Sequence, residues 1–144
     1  MKDLPETDKA SPKEVLCLYE IRVTPSRIGV LEVLQQSDHA LTAEELYNLL
    51  VNRIPGVGRA TVYRNIALLE AKGLLKKVHQ EKECHGYFLS RQRNGHFITC
   101  QNCGIVQEIP CGEPDNFFQA VRKKTGFHII DHLMGLSGMC PQCR

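Results

Sequence analysis

Arg59-Ala60-Thr61-Val62-Tyr63-Arg64-Asn65-Ile66, continuing through Leu68, Leu69 and Lys72 to Gly73, is the stretch on which the fold turns. Val62, Ile66 and Leu69 recur at helical spacing, and Gly73 stands where a glycine ends a helix. Arg59, Thr61, Tyr63 and Arg64 crowd the first two turns. The pattern predicts a helix with an apolar inner face and a cationic, hydrogen-bonding N-terminal end. Such an end suits phosphates and base edges: Thr61 and Arg64 can hold phosphate, and Tyr63 can pack on a thymine methyl.

Working outward, 52–58 is rich in turn residues, with Pro55, Gly56 and Gly58. Before it, Thr42-Ala43-Glu44-Glu45 is a capping box, and Leu46, Leu49 and Leu50 of the helix it opens are expected inside. Thr24-Pro25 pairs an N-cap with proline at the first helical position, opening a helix with Ile28, Leu31, Val33 and Leu34. Ser11-Pro12 repeats that signal before Val15, Leu16, Leu18 and Tyr19. Downstream, strands are expected near 74–79 and 87–90, joined by a charged tip at 80–86. Helix, turn, helix and hairpin make a winged helix-turn-helix, with Lys76, Lys77 and Lys82 available to phosphates from the wing. The same charges would equally suit an ordinary solvated face, so this layout alone leaves DNA binding open.

The last third carries different chemistry. Cys100-Gln101-Asn102-Cys103 and Cys140-Pro141-Gln142-Cys143 are two CxxC knuckles, and four thiolates complete a tetrahedral zinc shell. Strands are expected at 96–99 and 105–109, a helix opening at 113–115 with Phe117, Phe118 and Val121, and a last strand at 127–137. This second unit leaves an apolar strand at an edge, which a second copy would cover, so a homodimer is expected. Two recognition helices on a two-fold then require a palindromic operator on double-stranded DNA. The fold class expected is α+β: a lead-in at 1–12, a winged-helix domain at 13–90, a hinge at 91–95, and an α/β dimerisation domain at 96–144.

Composition narrows the function. At 144 residues and 42% hydrophobic, the chain can build one domain or two small ones, and small cores often recruit a metal. A net charge of +2 means that any nucleic-acid surface is local. The polar start lacks a signal-peptide core, and no apolar run approaches the ~20 residues of a membrane span. A cytoplasmic location follows, with seven cysteines serving metal or remaining thiols. Cys17 is expected as a core thiol and Cys111 as a loop thiol. Enzyme chemistry fits poorly: a catalytic zinc needs an open position, and a redox CxxC opens a helix as a single pair. No organic substrate is expected.

The sequence resembles the ferric-uptake-regulator family of metal-dependent repressors, from about Leu16 to Cys143. The likeness is carried by Arg22-Val23-Thr24-Pro25-Ser26-Arg27, Leu41-Thr42-Ala43-Glu44-Glu45-Leu46-Tyr47, Ala60-Thr61-Val62-Tyr63-Arg64, His96-Phe97, Cys100-Gln101-Asn102-Cys103-Gly104 and Gly138-Met139-Cys140-Pro141-Gln142-Cys143. The resemblance implies a winged-helix domain, a dimerisation domain, structural zinc on the four cysteines, and a regulatory metal at the hinge. It implies that Tyr63 and Arg64 read bases and phosphates, and that Arg22 and Arg27 meet the DNA backbone or minor groove.

For an exchangeable metal the available donors are His39, His79, Cys84, His85, His96, Glu108, Asp115, His128 and His132. The resemblance places a regulatory carboxylate at Glu108 and a histidine close to His96, and matches Asp115 and His132 to an accessory site. His79, Cys84, His96 and Glu108 together would tie the two domains in one orientation. His85 competes with Cys84, because strand neighbours face opposite ways. His39 is expected on the surface. The chain departs from the family in lacking a histidine-rich run before Cys100. A thiolate beside imidazoles and one carboxylate favours zinc over ferrous iron, which points to the zinc-uptake-regulator branch. Iron, manganese, nickel and peroxide sensing are the alternatives.

Overall fold

The computed structural model describes residues 9–79, 85–91, 95–110, 116–129 and 135–144. Three helices open the chain: α1 (Pro12–Leu18), α2 (Pro25–Gln35) and, after the short strand β1 (Leu41–Thr42), α3 (Ala43–Val51). Ser11 and Thr42 each close a capping box, with Glu14 and Glu45, and Thr24 caps α2 ahead of Pro25. Helix α4 (Arg59–Ala71) follows, and Gly73 beyond it takes φ +79, a left-handed conformation that a side chain would strain. The wing is β2 (Leu75–His79) paired antiparallel with β3 (His85–Leu89), and β1 adds a third strand in the order β1-β3-β2. Strand β1 was not expected. It is two residues long, too short to show an alternation of its own.

The winged helix owns the main core. Leu16 of α1, Leu31 of α2, Leu46 and Leu50 of α3, Val62 and Leu69 of α4, and Leu74 are all fully buried. Two expectations fail here. Leu49 is 43% exposed, since α3 turns Leu46 and Leu50 inward, and Cys17 is exposed rather than in the core, since α1 buries Val15 and Leu16.

The second unit is thinner. Strand β4 (His96–Cys100) lies between β5 (Val106–Ile109), antiparallel, and β6 (Gly135–Gly138), parallel. Helix α5 (Asn116–Thr125) buries none of its residues. The expected strand at 127–137 is shorter in the described residues: 127–129 is irregular and pairing begins at Gly135. The expected helix start at 113–115 lies outside the described residues, as do Cys111 and Lys82.

A second apolar cluster joins the two units. Ala40, Val78 and Phe88 of the winged helix close on Phe97 of β4, with Val106 of β5 packed against them. The Phe88 and Phe97 rings meet edge to face, with centroids 5.2 Å apart. Polar contacts surround the cluster. Lys76 Nζ donates to the Gly95 carbonyl at 2.9 Å, and the Val106 amide to the Asp38 carbonyl at 3.0 Å. Lys76, expected on phosphates, is thus turned to the junction.

Candidate metal centre and nucleic-acid interface

The four cysteines converge. Cys100 ends β4, and its amide donates to the Ile105 carbonyl while its own carbonyl accepts from Gly104. That closes a knuckle, and Gly104 takes φ +76 at its corner. The Gln101 amide donates to the Gly138 carbonyl at 2.9 Å, which brings the end of β6 and its CxxC alongside. The four sulfurs all lie within 4.8 Å of one another. Cys103 Sγ and Cys140 Sγ are 3.8 Å apart, too far for a disulfide. Sulfurs about 2.3 Å from a tetrahedral zinc stand about 3.8 Å apart, so the donor set fits zinc as it lies.

The thiols are not equivalent. Hydrogen bonds from the backbone at Cys103 and Cys140 pull Cys100 down to about 6. At Cys103 the Ile105 amide pulls down, but burial and three neighbouring thiols prevail and push it up to about 11. Cys143 is also raised: Asn102 pulls it down, and contact with Cys140 and burial outweigh that. The metal-free cluster therefore holds its first charge on Cys100. At about pH 7, zinc uptake is expected to displace fewer than four protons, because the cluster already holds a charge centred on Cys100, and apparent affinity climbs as the raised thiols ionise with pH. Zinc titrations in buffers of differing ionisation enthalpy count those protons, and release of four would contradict the assignment.

The other site lies on α4. Val62, Asn65, Ile66 and Leu69 fix its inner face, which leaves Arg59, Tyr63 and Arg64 exposed and Thr61 half-buried. Tyr63 is 49% exposed although it is a large aromatic. Arg59 hydrogen-bonds Glu44 at 2.9 Å and lies 4.4 Å from the Tyr47 ring centroid. That hydrogen bond holds the Glu44 carboxyl below its usual range and raises Arg59. A phosphate at Arg59 therefore competes with Glu44. Arg64 Nε donates to the Ala60 carbonyl at 3.3 Å, within its own helix.

Arg27 is committed more deeply. Its Nε donates to Asn65 Oδ1 at 3.2 Å and its Nη1 to the Arg22 carbonyl at 2.7 Å, while Asn65 Nδ2 donates to Ser26 at 2.9 Å. Asn65 is a residue the sequence reading missed. It is 5% exposed and locks the start of α2 onto α4. A polar residue at a core position of the Val62-Ile66-Leu69 pattern was the available signal.

Among the described residues, the proposed regulatory donors His79, His96 and Glu108 are not gathered. Glu108 accepts from Ser90 Oγ at 3.0 Å and from the Arg91 amide at 2.8 Å. In the β4–β5 register Glu108 pairs with Phe97, and His96 pairs with Ile109. Glu108 and His96 therefore face opposite sides of the sheet. His79 is at the far end of the wing: Ser90 bonds Leu74, and His79 lies five residue steps along the strand from Leu74, roughly 16 Å. Cys84, Asp115 and His132 lie outside the described residues. His39 has a side chain that is 44% exposed. It pairs with its neighbour Asp38, and its backbone bridges to Ile105.

Comparison with known proteins agrees with this geometry. The family model described as the ferric uptake regulator family matches residues 19–137. A ferric uptake regulation protein of Legionella pneumophila is 35% identical over 126 residues, spanning 86% of this chain and 92% of that one. The peroxide operon regulator of Bacillus subtilis is 29% identical over 123 residues, 85% of this chain and 84% of that one. Among solved structures, a zinc uptake regulator complexed with zinc and DNA aligns with TM-score 0.73 at 25% identity, covering 91% of this chain and 89% of that one. The Vibrio cholerae ferric uptake regulator aligns at 0.61 and 29% identity, covering 89% and 98%. With an exposed face of Arg59, Tyr63 and Arg64 on α4 and a cysteine cluster that fits zinc, the chain belongs to the ferric uptake regulator family.

Proposed function

We propose that this protein is a cytoplasmic, metal-responsive repressor of metal-homeostasis genes that binds palindromic operators as a homodimer. Its family is one of DNA-binding transcriptional regulators, not enzymes. The observation that carries the reading is α4: its inner face is locked into the core, and its N-terminal outer face presents Arg59, Tyr63 and Arg64. Arg22 and Arg27 flank it on the α2 side. Cys100, Cys103, Cys140 and Cys143 hold the structural zinc. Phe117 at 60% exposure, Phe127 at 75% and Met139 at 51% give the thin C-terminal unit an apolar surface for a second copy. No described helix is long and apolar enough to cross a membrane.

The proposal includes an exchangeable regulatory metal, zinc favoured over iron, drawn from His79, Cys84, His96 and Glu108, with Asp115 and His132 as an accessory pair. As the strands stand, His79, His96 and Glu108 would have to rearrange to meet. Operator affinity measured against buffered free zinc and free ferrous iron tests this. Affinity unchanged after a mild chelator strips exchangeable metal would remove the sensing role. That outcome selects a second reading, a DNA-binding regulator whose zinc is purely structural. The junction of Phe88 and Phe97 favours it, because apolar packing there, with the hydrogen bonds of Glu108 to Ser90 and Arg91, already joins the units.

Tyr63→Ala is expected to weaken operator binding about tenfold or more, with zinc content and melting unchanged. Arg64→Ala should weaken binding across all sequences and lower the salt slope by about one. Electrophoretic or anisotropy titrations at several salt concentrations check both. Loss of zinc or of fold in Tyr63→Ala would mean that the side chain serves the core.

A further inference from the structure

We propose that His79 and His85, facing each other across the wing hairpin, form a two-imidazole site for a borderline divalent cation of the zinc, nickel or copper class. The two residues are register partners of β2 and β3, so their side chains share one face of the sheet. Their ring centroids are 5.6 Å apart, with the planes inclined at 54°. A metal bound about 2.0 Å from a ring nitrogen lies roughly 3.2 Å from that ring's centroid, and two imidazoles on a tetrahedral metal then have centroids roughly 5 Å apart. The observed pair is a small side-chain adjustment from that arrangement.

The backbone beneath the pair is fixed. Val78 and Gly86, the adjacent register partners, are both buried, which pins the alignment that sets the histidines opposite each other. Both rings are exposed, so water or a further donor can fill the remaining positions. Imidazole nitrogens select zinc, nickel and copper, whereas magnesium and calcium take oxygen ligands. With two protein ligands against the four thiolates of the cysteine cluster, the cation exchanges readily. Lys77 and Tyr87 lie two residues along on the same strands and face. A bound cation therefore adds to the positive charge of the wing. This site shares His79 with the four-donor regulatory set proposed above but takes His85 as its second ligand, so the two cannot be filled at once.

The test uses the full chain with its cysteine site loaded with zinc, and nickel(II) as probe. A tetrahedral four-sulfur shell suits zinc, whereas nickel(II) favours tetragonal nitrogen and oxygen donors, so the thiolates keep their zinc. Calorimetry is expected to find one exchangeable nickel per chain, and paramagnetic broadening should strike the His79 and His85 ring resonances first. His79→Gln and His85→Gln, both exposed substitutions, should each weaken uptake roughly tenfold or more. Undiminished binding in His85→Gln, or broadening confined to other histidines, would overturn the site. Failure to take up nickel at all would do the same, and none of these outcomes touches the α4 reading of DNA binding.

Discussion

Cys140→Ser, or removal of zinc by a strong chelator, is expected to melt the C-terminal sheet and leave the winged helix folded. The difference lies in where the apolar core sits. The main cluster draws entirely on residues between Val15 and Leu89. Beyond residue 95, the buried apolar side chains among the described residues are Phe97 and Cys100, and Cys100 is itself a zinc ligand. Helix α5 buries nothing and β6 is mostly exposed. A structural zinc supplies apparent binding energies of about 10–16 kcal/mol near neutral pH, larger than such a unit could provide by burial. Serine is nearly the size of cysteine but is a poor zinc ligand, so one substitution opens the shell. Amide exchange read by mass spectrometry should show β4, β5 and β6 losing protection while α2, α3 and α4 keep theirs. A C-terminal sheet still protected after complete zinc loss would refute the argument.

The second large effect is expected at the junction. Phe97 is 6% exposed and stands between the Phe88 ring and the backbone of β6. A Cβ at Gly135 would fall 2.8 Å from the Phe97 ring, so the strand is already pressed against it. Phe97→Ala should cost about 3–5 kcal/mol through lost burial and the cavity left behind. Phe97→Leu, which keeps most of the volume, should cost less than about 1.5 kcal/mol. Because Phe97 joins the two units, the alanine variant should also split urea unfolding into two transitions. A loss under about 1 kcal/mol with a single transition would mean that the hydrogen bonds of Glu108 and Lys76 hold the units without it.

Much of this was legible before any coordinates. The capping residues, the apolar spacing of α4 and the paired CxxC knuckles are local signals, and each element formed where its signal stood. What the sequence hid depended on partners distant in the chain. Leu49 and Leu50 read alike until the packing of α3 chose between them. Asn65 looked like one more polar helix residue until Arg27 and Ser26 arrived from α2. His96 and Glu108 seemed close because both lie near the hinge and the first knuckle. The β4–β5 register sends them to opposite faces, and register is not written in the spacing of two strands of four or five residues. The junction was missed for a similar reason. Ala40, Val78, Phe88 and Phe97 sit on four separate segments, none of which shows an apolar run pointing at the others.

Strand β4 places Phe97 on one face, against the winged helix, and delivers Cys100 from its other face to the zinc cluster. Five residues therefore carry both a ligand of the cysteine cluster and the aromatic contact with the winged helix. If the strand frays as one cooperative segment, the staple and the interdomain seal open together. On the proposed reading of a DNA-binding dimer, zinc starvation severe enough to empty the cysteines would then release the two winged helices from a common frame. The metal that looks purely architectural would set a floor of cellular zinc below which the protein could not act on DNA at all.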